Sequence, residues 1–122
     1  MERMAQEVRD IYFDLGRSEI REDSRVILAQ NAKALAQILN DFPGIEILVE
    51  GHCDESGSSE YNLELGYRRA ESAKRLLESI GVAGNRLKAV SRGEASPQCV
   101  EATEECRPKN RRVHFAARPG TG

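Results

Sequence analysis

The chain has 122 residues, 39% of them hydrophobic and 31% charged, with 18 basic against 20 acidic side chains and a formal charge of -2. That length fits one domain with its own core, and the composition excludes disorder and a membrane-spanning protein, since the longest apolar runs, such as Ile47–Val49, are only a few residues. The weak negative balance also argues against bulk attraction to polyanions.

Met1–Asp10 interleaves Glu2, Arg3, Glu7, Arg9 and Asp10, where a secretory signal would show a basic start and an apolar stretch. Taken literally the chain starts in the cytoplasm; the alternative is a piece separated from its targeting segment and linker. Residues 1–10 are expected to be an N-terminal linker or the remnant of a leader. Ile11-Tyr12-Phe13-Asp14 reads as a short strand stopped at Leu15-Gly16. Leu28, Ala32, Leu35, Leu39 and Phe42 then recur at helical spacing, with Asp23 or Ser24 as N-cap and Pro43-Gly44 as stop. Ile45–Glu50 is a β-branched strand closed by Gly51. The loop His52–Ser58 leads into a second helix, whose core stripe is expected at Leu63, Tyr67, Ala70, Leu77 and Ile80, with Gly81 as its C-terminal cap.

Leu87–Ser91 is a third strand ended by Gly93, and Arg112–Ala117 a fourth, with Val113, Phe115 and Ala117 alternating with Arg112, His114 and Ala116. The order β-α-β-α-β-β gives an α+β sandwich of two main helices on a mixed four-stranded sheet. Helical crossovers favour parallel neighbours, while the last strand, with no helix before it, is free to run antiparallel. The domain is expected to span residues 11–117, with residues 118–122 a disordered tail.

Three cysteines are present. Cys99 and Cys106 flank a polar loop; a disulfide there would close a small ring and imply an oxidising compartment such as the periplasm, and two unpaired thiols are the other reading. Cys53 is left over.

The stretch from Gly51 to Ala70 joins a buried strand to a helix through a Gly- and Ser-rich loop, the usual setting of a binding site. Asn62, Leu65, Gly66 and Arg69 form one stripe beside the expected core stripe, so Arg69 can lean toward the loop that carries Asp54. Gly66 costs about 1 kcal/mol against alanine within a helix, which suggests a close neighbour at its backbone. Asp54 and Arg69 allow two readings. One is a structural ion pair, the commoner fate of such charges. The other is a carboxylate and a guanidinium facing one cleft, which complements the ammonium and carboxylate of a zwitterion. Fourteen of the eighteen basic residues are arginine, the side chain suited to bidentate contact with carboxylates.

The run Val49-Glu50-Gly51-His52-Cys53-Asp54-Glu55-Ser56-Gly57, followed by Glu60-Tyr61-Asn62, Leu65-Gly66 and Arg68-Arg69-Ala70, closely resembles the OmpA C-terminal-like family. Tyr12-Phe13-Asp14 resembles that family's first strand, and Lys109-Asn110-Arg111-Arg112-Val113 the entry to its last, so the likeness covers roughly residues 11–117. It implies a non-enzymatic domain without cofactor, which binds peptidoglycan non-covalently through the diaminopimelate of the stem peptide and tethers the outer membrane or an envelope complex to the cell wall. Asp54 and Arg69 would hold the free amino-acid end, with Asp14, Phe13, Asn62 and Leu65 lining the cleft and Asn110 and Arg112 closing it. The implied setting is the periplasm, with membrane contact only through a lipid anchor or a domain outside this sequence, and with a Tol-type periplasmic β-propeller as a further partner. Two departures stand out. Cys53 replaces the family's usual Ala or Thr. The Cys99–Cys106 loop is similar to that of disulfide-bearing OmpA relatives, whereas Leu65-Gly66-Tyr67-Arg68-Arg69 leans to the lipoprotein branch.

Three rival chemistries use the same residues. Zinc binding would draw on His52, Cys53, Asp54 and Glu55, but consecutive loop residues rarely converge and His114 is the only other histidine. A hydrolase would need Ser56, His52 and Asp54 as a triad without a nucleophile elbow. Nucleic-acid binding through Arg107, Lys109, Arg111 and Arg112 lacks interleaved aromatics and a positive balance.

Overall fold

The computed structural model describes residues 2–120. Its elements are α1 (Glu2–Glu7), β1 (Ile11–Tyr12), α2 (Glu22–Asp41), β2 (Ile45–His52), α3 (Ser59–Ser79), a 3-10 turn (Gly84–Arg86), β3 (Leu87–Gly93), α4 (Arg107–Asn110) and β4 (Arg112–Pro119). The four strands form one mixed sheet in the order β1-β4-β2-β3. β2 and β3, joined through α3, are parallel, and β4 runs antiparallel to both β1 and β2. The expected α+β sandwich is therefore present.

Strand alternation assigns the two faces. Ile47 and Val49 of β2, Leu87 of β3, and Val113 and Phe115 of β4 turn to the helices and are buried with Leu28, Leu35 and Ile38 of α2 and Ala70, Ala73 and Leu77 of α3. Each large aliphatic side chain removed from water there contributes about 1.5–3 kcal/mol. The opposite face is open and carries charge pairs, Glu46–Arg118 at 2.6 Å and Glu50–Arg92 at 3.3 Å.

Several details differ from expectation. β1 ends at Tyr12, because Phe13 bonds Arg111 by its amide and the chain then turns, Arg17 N donating to Asp14 O. α2 is capped neither by Asp23 nor by Ser24. Its N-cap is Arg21, without a side-chain bond, and Ser24 instead donates to Tyr12 O, fastening the helix to β1. Phe42 lies past the end of α2 and is exposed. On α3 the expected core stripe is wrong in part: Leu63, Tyr67 and Ile80 are about half exposed. The buried face is Asn62, Leu65, Gly66, Arg69, Ala70, Ala73 and Leu77. Gly66 explains the shift. A Cβ on Gly51 of β2 would fall on the carbonyl of Gly66, so helix and strand touch backbone to backbone there. The close neighbour expected at Gly66 is thus the sheet.

Both ends depart from expectation as well. Residues 2–7, within the expected linker, form α1, and Met4 and Val8 enter the core. Arg118 and Pro119 belong to β4 and Gly120 N donates to Gly44 O; Thr121 and Gly122, also expected as tail, lie outside the described residues. Among the described residues no helix is long and apolar enough to cross a membrane.

Candidate functional site

The loop after β2 is built by short-range bonds. Cys53 N donates to Gly93 O at 2.8 Å, which extends the β2–β3 pairing one residue into the loop. Ser56 N then donates to Asp54 Oδ1 at 2.8 Å, the Asx-turn that aspartate favours. Ser58 caps α3 by accepting from Tyr61 N. Asn62 shares its Nδ2 among Asp54 O, Gly57 O and Glu94 Oε1, all at 3.2 Å, so it holds the loop to the helix.

Against this loop lies a cleft of about 220 Å3, lined chiefly by Leu15, Gly16, Asp54, Tyr61, Leu65 and Arg111, with Arg69 at its closed end. Arg69 has no exposed surface. Its Nε donates to Arg17 O at 2.7 Å, Nη1 to His52 O at 2.9 Å and Nη2 to Asp14 O at 3.1 Å, and Phe13 places its ring 5.2 Å from the guanidinium carbon. Burial lowers its pKa, yet arginine stays cationic at any ordinary pH. Of five N–H donors, three are taken by carbonyls and two remain. The partner of Asp54 is not Arg69: Asp54 Oδ2 pairs with Arg111 Nη1 at 3.0 Å. Burial favours the neutral form of Asp54, but the bonds from Ser56 and Arg111 outweigh it and hold the carboxyl below its ordinary range. Arg111 is in turn braced by Phe13 O, which accepts from its Nε at 3.3 Å.

The structure therefore gathers Asp54, Arg69, Asn62 and Leu65 around one cleft. Phe13 and Asp14 stand behind it, the first through its ring and carbonyl, the second through its carbonyl alone; the Asp14 carboxylate points out toward Arg21 at 3.6 Å. Asn110 does not close the cleft. It is buried under the loop from Gln98 to Cys106, accepting from Gln98 N and Cys99 N and donating to Cys99 O. Arg112 points away, pairing with Asp10 at 2.9 Å. The residue the sequence reading missed is Arg111. The signal was strand parity: Val113 and Phe115 turn to the helix side, so Arg111 does too, whereas Arg112 faces the opposite way.

The Cys99–Cys106 disulfide is formed, and it reaches the cleft indirectly, since Arg107 beside it donates to Glu55 Oε1 at 2.6 Å. Cys53 is a buried free thiol bonded to Asn62 O, its pKa pushed up to about 11 by burial, so it is an inert packing group. The rival constellations come apart. His52 lies buried on the side of the sheet away from the helices, 3.5 Å from Glu50, while Cys53 and Asp54 point elsewhere, and no group of three His, Cys, Asp or Glu side chains converges among the described residues. The same divergence separates His52 from Ser56 and Asp54. The basic cluster is dispersed into pairs, Arg107 with Glu55 and Glu104, Arg111 with Asp54, and Arg112 with Asp10.

Residues 12–111 match the OmpA family. The chain belongs to that family. A peptidoglycan-associated lipoprotein of Mesorhizobium japonicum is 46% identical over 103 residues, which are 84% of this chain and 59% of that protein, so the chain spans about three fifths of the relative's length. Among solved structures, the peptidoglycan-associated lipoprotein from Burkholderia pseudomallei superposes with a TM-score of 0.79 at 35% identity, covering 90% of each chain. The C-terminal domain of Helicobacter pylori MotB gives 0.80 at 25% identity, covering 93% of this chain and 87% of that one. The OmpA-family domain thus accounts for most of this chain, and the cleft is built from its segments.

Proposed function

We propose that this domain binds peptidoglycan non-covalently by taking the free amino-acid end of a stem-peptide diaminopimelate into the cleft at Asp54. The observation that carries the reading is one ionised carboxylate between two guanidinium groups in a small, walled cleft. Asp54 would accept from the ligand's ammonium. Arg111 at the rim, and the two spare N–H groups of Arg69 at the closed end, would take its carboxylate. Leu65, Leu15 and Tyr61 supply apolar wall for the methylene stem. The family relatives named peptidoglycan-associated lipoprotein support peptidoglycan as the partner; the reading further places the domain in the periplasm, with an anchor to the outer membrane carried by a lipid or by another part of a longer chain. The role in this reading is tethering.

Purified peptidoglycan of the diaminopimelate type should retain the domain in a pull-down, and peptidoglycan with lysine at the third position, which lacks the second carboxylate, should not. Asp54→Asn and Arg111→Gln should each weaken retention at least tenfold, about 1.4 kcal/mol. Equal retention on both wall types, or undiminished binding by both variants, would show that the cleft does not read this ligand.

A further inference from the structure

The turn from Asp14 to Arg17, closed by Arg17 N donating to Asp14 O at 3.1 Å, separates two hollows. Leu15 and Gly16 line the cleft on one side. Asp14 and Arg17 line the other, an open groove of about 330 Å3 completed by Glu19, Ile20 and Arg21. The crest between them is Gly16, at φ 67°, which has no side chain to bar the way; a Cβ there would meet only the Tyr61 hydroxyl, at 3.8 Å. The turn is a fixed part of the scaffold, since Arg69 bonds the carbonyls at both its ends, Asp14 O at 3.1 Å and Arg17 O at 2.7 Å.

The charges of the groove are not equally committed. Arg21 bonds Asp23 through two nitrogens, at 3.0 and 2.8 Å, and lies 3.6 Å from Asp14. The Arg17 guanidinium is exposed, makes no hydrogen bond among the described residues, and has Glu19 beside it only at 3.8 Å. Its donors are unspent. Its backbone is one hydrogen bond from the closed end of the cleft, which puts the side chain within reach of a ligand that leaves the cleft across Gly16.

We infer that Arg17 is a second reading point for the stem peptide, pairing with the free α-carboxylate of the glutamyl residue that precedes diaminopimelate. This rests on the cleft reading proposed above. The glutamyl residue is joined to diaminopimelate through its side-chain carboxyl, which leaves the α-carboxylate as an acceptor-only anion one residue from the anchored end. Arginine takes such a group bidentately. Glu19 is the competitor that the guest displaces. The pair is exposed, so it adds a preference to the grip at Asp54, about three- to fivefold in affinity. Amidation of the α-carboxylate, which replaces the anion by a neutral amide, is the modification that the groove discriminates against.

Two soluble stem peptides that differ only at this group, one with the carboxylate free and one with it amidated, test the assignment by NMR titration of the whole chain at low salt. Wild type should bind the acid three- to fivefold more tightly than the amide, as an exposed charge pair allows. Arg17→Gln should bring the ratio to about one with the melting temperature unchanged, since the side chain is exposed and nearly unpaired. Glu19→Gln, which removes the competitor, should widen the ratio. Equal affinity of wild type for the two peptides overturns the inference while leaving the cleft reading intact. So does a preference that survives Arg17→Gln, or one that Glu19→Gln narrows. If wild type binds neither peptide, the cleft reading fails and this inference falls with it.

Discussion

Two carboxylate–arginine pairs flank the start of β4, contributed by consecutive arginines. Arg111 reaches Asp54 at 3.0 Å on one side, and Arg112 reaches Asp10 at 2.9 Å on the other. Their distances and chemistry are alike. Their surroundings differ. Asp10 is also bonded by His114, and the cluster sits on an edge with apolar walls, where the acid has two side-chain partners of its own. Asp54 has one arginine and a backbone amide, beside a cleft that a second guanidinium, that of Arg69, also lines. Distance alone does not tell a binding pair from a structural one. What distinguishes them is whether the unspent hydrogen-bonding capacity points into a space that a ligand fits.

That comparison can be broken first at Arg69. Arg69→Ala removes three charge-assisted bonds and leaves three desolvated carbonyls, so it should cost about 3 kcal/mol or more in urea unfolding as well as losing wall binding. If stability were unchanged, the closed end of the cleft would not be the scaffold described here. The next largest effect belongs to the loop behind Arg111. Replacing Cys99 and Cys106 with serine should cost roughly 2–3 kcal/mol by the chain-entropy argument. It should also weaken peptidoglycan retention, because Asn110 and Arg107 lose the loop that they hold.

The smallest effect tests the other pair. Asp10 raises the pKa of His114 by hydrogen bonding, and His114 with Arg112 overcomes burial to lower that of Asp10. The histidine's contribution is then full below its unfolded value of about 6.5 and is lost as pH rises through its higher folded value; the aspartate's is full above about 3.9 and lost as pH falls through its lower folded value. Stability should therefore decline modestly above about pH 6.5, by less than about 1 kcal/mol because the histidine is 45% exposed. An NMR titration should find the His114 pKa falling toward 6.5 in Asp10→Asn, with wall binding unaffected.

The strands and long helices were legible because burial imposes its period on apolar residues. The orientation of α3 was not. Counting apolar residues favoured Leu63, Tyr67 and Ile80, yet the face that packs contains Asn62, Gly66 and Arg69. Gly66 is there because backbone meets backbone, and Arg69 because three carbonyls from two separated segments satisfy it; neither cause leaves a hydropathy signal. Asp54, Asn62 and Leu65 were placed at the cleft from motif position. Asn110 and Arg112 were misplaced for different reasons. An asparagine before a strand does not reveal that its amide serves a loop eleven residues back. Arg112 was preferred to Arg111, although the alternation of Val113 and Phe115 already decided between them.

The three carbonyls gathered by Arg69 have a consequence for the shape of the cleft. Two of those bonds, to Asp14 and Arg17, close loops of 55 and 52 residues, and both tie down the segment carrying Leu15 and Gly16, which forms one wall of the cleft. That wall is therefore held from a helix far along the chain, and its position depends on the seating of α3. A substitution that shifts α3 on the sheet would therefore move the Leu15 wall of the cleft as well.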